Sequence, residues 1–425
     1  MPFLALLRFC DTTGPTGRAG SASEIAREAP ASWACDCAGG GFGCDGTCDE
    51  AIARGVCRLR KLRESDLVRA MQEAALSVQP WCEGGFGMVR RLQEARNNFG
   101  HVDQMKLGER SVAVKRMPNH WISDSMQEFE ERNPDAAERP WLDLGLVREL
   151  NRLKFPYACE LLGIFRDSES TYIVTSLAAQ GDLHSWCAAE PRPGREREEM
   201  LRPIMRQTCK AVKMLHDLGI AHRDLSMENI LLAEDAQGKA QVKIIDFAMS
   251  TLSRVCRDEA RGKVVYRAPE MHEADAYDAF LADAFALGVV AFAAAFRDYP
   301  WSCTRLACAS FRYVSEHGMA ALLSRRQVRN GSGETLSEVC SAPLAELLDG
   351  LLAIEPLRRL SLGERAPRHP RGHWGRSVWA LPWFGGDAAP PFAAVSEESE
   401  AMDLSPFSAA SEGGEAFGPC GWSGL

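Results

Sequence analysis

Residues 219–247 constrain the fold more than any other stretch of the chain. A run of polar and charged residues, His222-Arg223-Asp224-Leu225-Ser226-Met227-Glu228-Asn229, is followed at once by an apolar segment at 230–232. A second apolar segment, 242–245, ends in Asp246-Phe247-Ala248. Short aliphatic runs of this kind read as strands, so the spacing predicts one strand leaving Asn229 and another arriving at Asp246. Further strand signals run from near Ser77 through Val114, at 158–165 and at 172–177. After Gly181 the pattern is mainly helical. The predicted fold class is therefore α+β and bilobal, a small β-rich lobe followed by a larger α-helical one.

A length of 425 residues exceeds one average domain and leaves room for extensions around that core. The content of 46% hydrophobic and 25% charged residues is that of an ordinary globular protein. A net charge of −9 argues against a broad basic face for nucleic acid. No Lys or Arg follows Arg376, whereas seven acids do, from Asp387 to Glu415. The fifteen cysteines are scattered, the pattern of free thiols in a reducing compartment. Cys35, Cys37, Cys44, Cys48 and Cys57 have no standard zinc spacing. The N-terminus lacks the basic start and cleavage site of a signal peptide. The apolar run 279–296 contains Asp283 and Gly288 and is expected to be a buried helix, not a membrane span. A cytoplasmic or nuclear protein without membrane or nucleic-acid partners is expected. The expected divisions are 1–75, a Cys/Gly-rich then helical extension with an apolar stripe of Leu59, Leu62, Val68 and Met71; 76–177, the small lobe; 178–384, the large lobe; and 385–425, an acidic disordered tail.

Three more segments complete an ordered set. Val112-Ala113-Val114-Lys115 places a lysine on a strand, Gly84-Gly85-Phe86-Gly87-Met88-Val89 offers a glycine-rich loop, and Ala268-Pro269-Glu270 follows Asp246 at a short distance. In this order, over about 76–365, the chain resembles the eukaryotic protein kinase family, in a divergent Ser/Thr-type form. The resemblance implies transfer of the γ-phosphate of Mg·ATP to a hydroxyl of a protein substrate. It implies Asp224 as the residue that handles the substrate proton, Asn229 and Asp246 as magnesium ligands, and Lys115 on the α/β-phosphates. It implies backbone amides of Gly84, Gly85, Phe86 and Gly87 over the phosphates, and Val89, Ala113 and Leu231 around adenine. Thr175 takes the gatekeeper place, Ser176 and Leu177 lie in the hinge, and Asp182 lies near the ribose. Leu150, Leu161, His222 and Phe247 match a hydrophobic spine, Asp283 a brace for the catalytic loop, and Glu270 with Arg359 a buried ion pair.

The departures matter as much. Cys82 stands for the first glycine and Ala248 for the glycine after Asp246-Phe247. Leu146 falls where the family carries the glutamate that pairs with Lys115; Asp143 and Glu149 lie three residues either side, and Glu149 is the better substitute. The segment 254–261 holds no hydroxyl residue, so Asp258 or Glu259 is expected to supply the anion that Arg223 needs. Ser226 occupies the place of a common lysine, and Lys263 the place of its hydroxyl partner. The exchange implies that Lys263 reaches back toward the γ-phosphate as a catalytic residue. The opposing reading is a pseudokinase, a nucleotide-binding scaffold or interaction module. It draws on Leu146, Ala248 and Cys82, against the presence of Lys115, Asp224, Asn229 and Asp246.

Overall fold

The structure, a computed structural model, describes residues 61–385 except 95–99, 190, 235–237, 239, 258, 330–331 and 364–375. The five N-terminal cysteines, Leu59, Asp258 and nearly all of the acidic tail lie outside the described residues. The first element is helix α1, Glu64–Leu76. Strands follow as β1 Gln79–Pro80, β2 Gly87–Glu94, β3 His101–Leu107 and β4 Arg110–Pro118. Helices α2 Asn119–Ile122, α3 Met126–Arg132 and α4 Pro140–Arg152 come next, then β5 Leu161–Arg166 and β6 Ser170–Ser176. These strands form one six-stranded sheet in the order β1-β5-β6-β4-β3-β2, antiparallel except where β1 runs parallel to β5.

The two faces of this sheet differ because side chains alternate along a strand. On β4, Val112 and Val114 are fully buried and pack with Phe165, Tyr172 and Val174 on one face. Ala113 and Lys115 alternate with them, and Lys115 faces α4 across a side-chain contact. Helix α1 packs along the back of α4. The residues it buries are Leu67, Ala70, Met71 and Ala74, spaced as one helical face. The expected stripe is thus rotated: Met71 is inside, but Val68 is 38% exposed. The physical reason is the partner. Gly145 of α4 leaves the space that the Met71 side chain fills, and a Cβ there would lie 2.4 Å from it.

The large lobe begins with α5 Leu183–Ala189 and α6 Arg195–Asp217, followed by the hairpin of β7 Ile230–Glu234 and β8 Ala240–Ile244. Strand β9 Val255–Arg257 pairs with β10 Ala276–Asp278, with α7 Glu270–Glu273 before β10. Helix α8, Ala279–Phe296, is long and apolar enough to cross a membrane by composition, yet 94% of it is buried within the lobe. Asp278 caps its start by accepting from the Phe280 and Leu281 amides. Helices α9 Ala309–His317, α10 Met319–Arg325, α11 Leu336–Val339 and α12 Ala342–Leu351 close the lobe around it.

Candidate active site

The polar segment after α6 is held by its backbone. Asp283, buried on α8, accepts the His222 amide through Oδ2 and the Arg223 amide through Oδ1, each at 2.8 Å. A buried carboxylate that accepts two backbone amides fixes a loop that would otherwise have no partner. Arg223 is left-handed at φ +68°, and so is Asp246 at φ +67°. Non-glycine residues hold this conformation at a cost of about 1–3 kcal/mol each, which the surrounding contacts must supply. Asp224 is nearly buried. Its Oδ1 accepts the Lys263 amide at 3.0 Å, and its Oδ2 accepts Asn229 Nδ2 at 3.1 Å. Asn229 Nδ2 also donates to the Asp224 carbonyl at 2.8 Å, so the two side chains share one geometry.

Asp246 lies just past β8, and Phe247 after it is fully buried with its ring 5.2 Å from that of His222. Asp143 on α4 bridges two elements: Oδ2 lies 3.3 Å from Lys115 Nζ, and Oδ1 accepts the Phe247 amide at 2.9 Å. Glu149 does not meet Lys115. It is paired with Arg152 at 2.7 Å on another face of α4, while Leu146 between them is buried in the core. The preference for Glu149 is therefore corrected to Asp143. Six residues are about 600° of helix, so the two acids point 120° apart, and only the Asp143 face looks onto β4.

The electrostatics favour bound cations. Burial alone would lower the Lys115 ammonium, but the carboxylates of Asp143, Asp246 and Glu138 outweigh it and raise its pKa. Burial, reinforced by Asp143 and Glu138, pushes Asp246 up to about 6 against the pull of Lys115. Burial also raises Asp224, with Asp246 adding to the effect and Lys263 opposing it. Carboxylates so poorly compensated are a setting that a divalent cation would relieve, and Asp246 and Asn229 offer the hard oxygens it prefers. Glu138, on the segment before α4, was not legible as a site residue. It lies close enough to Lys115, Asp224 and Lys263 for their charges to act on its ionisation.

Arg223 is answered as the sequence suggested. Its Nη2 lies 2.7 Å from Glu259 Oε1 and 3.1 Å from the Tyr277 hydroxyl. Lys263 projects into the 222–229 loop, with Nζ 2.7 Å from Ser226 Oγ, 3.5 Å from Glu228 and 3.9 Å from Asp224.

The description "Protein kinase domain" matches residues 96–370, about two-thirds of the chain. The chain belongs to the protein kinase family. Among curated relatives, CBL-interacting protein kinase 4 of Oryza sativa subsp. japonica is 30% identical over 229 residues, 53% of this chain and 46% of the rice protein. Testis-specific serine/threonine-protein kinase 5 of Mus musculus is 34% identical over 238 residues, 52% of this chain and 56% of the mouse protein. NUAK family SNF1-like kinase 2 of Rattus norvegicus is 26% identical over 297 residues, 69% and 40% respectively. The chain spans about half the length, or less, of these relatives.

The kinase match begins after the glycine-rich segment, and strand register explains why. Lys115 lies opposite Val102 on β3, whereas Gly87 pairs with Lys106, which in turn lies opposite Ser111. Gly87 is thus level with a residue four positions before Lys115, about 13 Å along the strand at ~3.3 Å per residue. Gly84, Gly85, Phe86 and Gly87 do not overhang the lysine. Phe86 instead stacks on Trp81 at 4.4 Å, and Trp81 on Tyr172 at 4.0 Å, covering the opposite face of the sheet. Val89 sits at a bulge between Met88 and Arg90 and is 48% exposed; Val102 holds the place opposite Lys115. Cys82 is accordingly not the first residue of a phosphate loop. Residues 95–99, between β2 and β3 in sequence, lie outside the described residues; Gly100-His101-Val102 follow, with Val102 opposite Lys115. That glycine and valine, fifteen and thirteen residues before Lys115, were the available signal.

The other residues that the resemblance placed beside a nucleotide fall on β4, β6 and the segments that follow β6. Thr175 is opposite Ala113 across β4 and β6, and Ser176 is opposite Val112. The Ser176 amide is already bound to the Glu160 carbonyl at 2.9 Å, which leaves Leu177 and Ala178 as the open hinge positions. Asp182 is bridged to Leu231 through the backbone, and its Oδ1 accepts the Ser185 amide at 2.7 Å, at the start of α5.

Proposed function

We propose that this chain is an active protein serine/threonine kinase. The observation that carries the proposal is the 3.3 Å contact of Lys115 with Asp143, because it restores from a neighbouring turn the carboxylate that Leu146 removes. In the reaction the oxygen of a substrate Ser or Thr bonds to the γ-phosphorus of ATP as the bond to the β-phosphate oxygen breaks, leaving ADP and a phosphoester. Asp224 orients the hydroxyl and takes its proton. Lys115, held by Asp143, positions the α/β-phosphates. Asn229 and Asp246 would hold magnesium, which would neutralise phosphate charge. Ala113, Val102 and Leu231 enclose adenine, with Thr175 behind it, and Asp182 contacts the ribose. Because little covalent chemistry falls to the protein, placement and charge carry the rate.

Lys263 completes the set. With Ser226 as its hydrogen-bond partner it brings an ammonium beside Asp224, where the transferred phosphoryl group would sit. Burial lowers its pKa, but Asp224 and Glu228 more than offset that and keep it charged. A donor aimed at developing charge is worth roughly 2–4 kcal/mol.

The test is incorporation of labelled phosphate from Mg·ATP into a generic protein. Asp224→Asn should cut the signal by orders of magnitude; equal signals from the two proteins would reduce the chain to a nucleotide-binding scaffold. Lys263→Thr should remove most activity, and adding Ser226→Lys should restore part of it. Full turnover by Lys263→Thr alone would refute the exchange.

A further inference from the structure

Arg261, Lys263 and Arg267, with Tyr266 and Met271, line a small pocket beside Asp224 whose other walls include the buried Ala282, Asp283 and Ala286. The carboxylates near it each have a cation within ion-pair distance. Lys263 lies against Asp224 and Glu228. Glu259 is shared between Arg223 at 2.7 Å and Arg261 at 3.1 Å. Asp298, before the turn that bears Arg305, pairs with Arg329 at 3.1 Å. Arg267 and Arg305 are different: among the described residues, neither has a carboxylate within ion-pair distance. Arg267 is fixed in place, its Nε donating to the Gly262 carbonyl at 2.8 Å. Its own carbonyl accepts Thr304 Oγ1 at 2.8 Å, which draws the exposed Arg305 up against the same loop.

The two guanidiniums act on one another and on their neighbours. Burial lowers the Arg267 pKa, and although Asp224 opposes this, the positive charges of Arg305 and Arg261 lower it further. His272 is lowered by burial and then by Arg305 and Arg267, and its Nε2 is buried with no hydrogen-bond partner. Like charges gathered without a counter-ion make a potential that an incoming anion relieves. Val264 and Leu306, next in sequence to Lys263 and Arg305, are 47% and 57% exposed.

We infer that Arg267 and Arg305 mark a groove beside this pocket that takes a peptide in which the phosphoacceptor hydroxyl is flanked by an anionic side chain, a carboxylate or a phosphate, that pairs with the two arginines. The inference rests on the kinase reading and names its substrate class. Guanidinium forks match the two oxygens of a carboxylate or phosphate, which a lysine does not. A basic flank would meet the same two arginines, and Lys263 already stands 3.5 Å from the Glu228 carboxylate.

The experiment uses the full chain and four peptides that differ only beside the acceptor serine, carrying Asp, phosphoserine, Gln or Arg there. The anionic peptides should exceed the Gln peptide in kcat/KM by roughly tenfold, and the Asp-to-phosphoserine ratio identifies which anion is preferred. Arg305→Glu should collapse that preference and make the Arg peptide better than the Asp peptide, a reversal that a damaged fold does not produce. Equal use of the Gln peptide by the unmodified protein, or an unchanged preference in Arg305→Glu, overturns the inference. If no peptide is phosphorylated, the kinase reading fails, and fluorescence anisotropy of the labelled peptides decides the groove. Tighter binding of the Asp than the Gln peptide, lost in Arg305→Glu, supports it; equal binding overturns it.

Discussion

Asp143 stands about one helical turn before Leu146, and its shorter side chain nonetheless spans the gap to Lys115. Asp143→Ala should therefore lower kcat/KM on the order of a hundredfold, the effect of misplacing a reacting group. Glu149→Gln should change turnover little, since Glu149 is engaged by Arg152. Steady-state kinetics on both variants checks the pair, and the reverse ranking would restore Glu149. Glu259 supports a second expectation. Its carboxylate already occupies the Arg223 guanidinium, so phosphatase treatment should leave activity intact while Glu259→Ala lowers it. Activity that disappears on phosphatase treatment, with mass spectrometry showing a lost phosphate in 250–261, would contradict this. Both readings show where sequence stops. The roles proposed for Asp224 and Asn229 rest on residues five positions apart, and that of Asp246 on the end of the second strand beyond them. The choice between Asp143 and Glu149 depends on the rotation of α4 against β4, which no local pattern specifies.

Strand pairing sets a similar limit on the elements themselves. The glycine cluster at 84–87 has the composition of a phosphate loop, but its place is fixed by hydrogen bonds to β3, a partner it meets only on folding. Trp81 and Phe86 give the segment another use, as a cover for the face of the sheet that α4 leaves open. The β7–β8 hairpin was legible because both of its strands abut the polar motif directly. Helix α1 was legible as a helix but not in its phase, since the face it buries is chosen by Gly145. Gly145→Leu should destabilise the chain by about 1–3 kcal/mol by overpacking Met71. Urea unfolding measures this, and adding Met71→Ala should recover part of the loss. No recovery would mean that α1 does not rest on Gly145.

The molecule as a whole is tied by contacts between residues far apart in sequence. Glu270 before β10 and Arg359 near the end of the large lobe form a buried two-point pair, at 2.5 and 2.9 Å. Arg359→Met should cost about 3–5 kcal/mol, because it strands a buried carboxylate, and Arg359→Met with Glu270→Leu should cost less than the single change. Thermal or urea unfolding compares them; a double variant weaker than the single one would count against a desolvation penalty. The spacing of this pair was readable through family resemblance, but the contact of α1 with both lobes was not. The Leu62 amide donates to the Leu218 carbonyl at 2.7 Å, past the end of α6, and Lys61 lies beside Gly219. One step later the chain enters α1 and rests on α4. The lobes are thus joined by the chain passing through Ser176, by this strap, and by hydrogen bonds such as the Ile244 amide to the Tyr157 carbonyl and the Phe247 amide to Asp143. A body hung on one pivot can twist as well as swing, whereas a body fixed at two points turns only about the line between them. Ties at several separated points leave still less freedom, so torsion of one lobe against the other must first lift the strap.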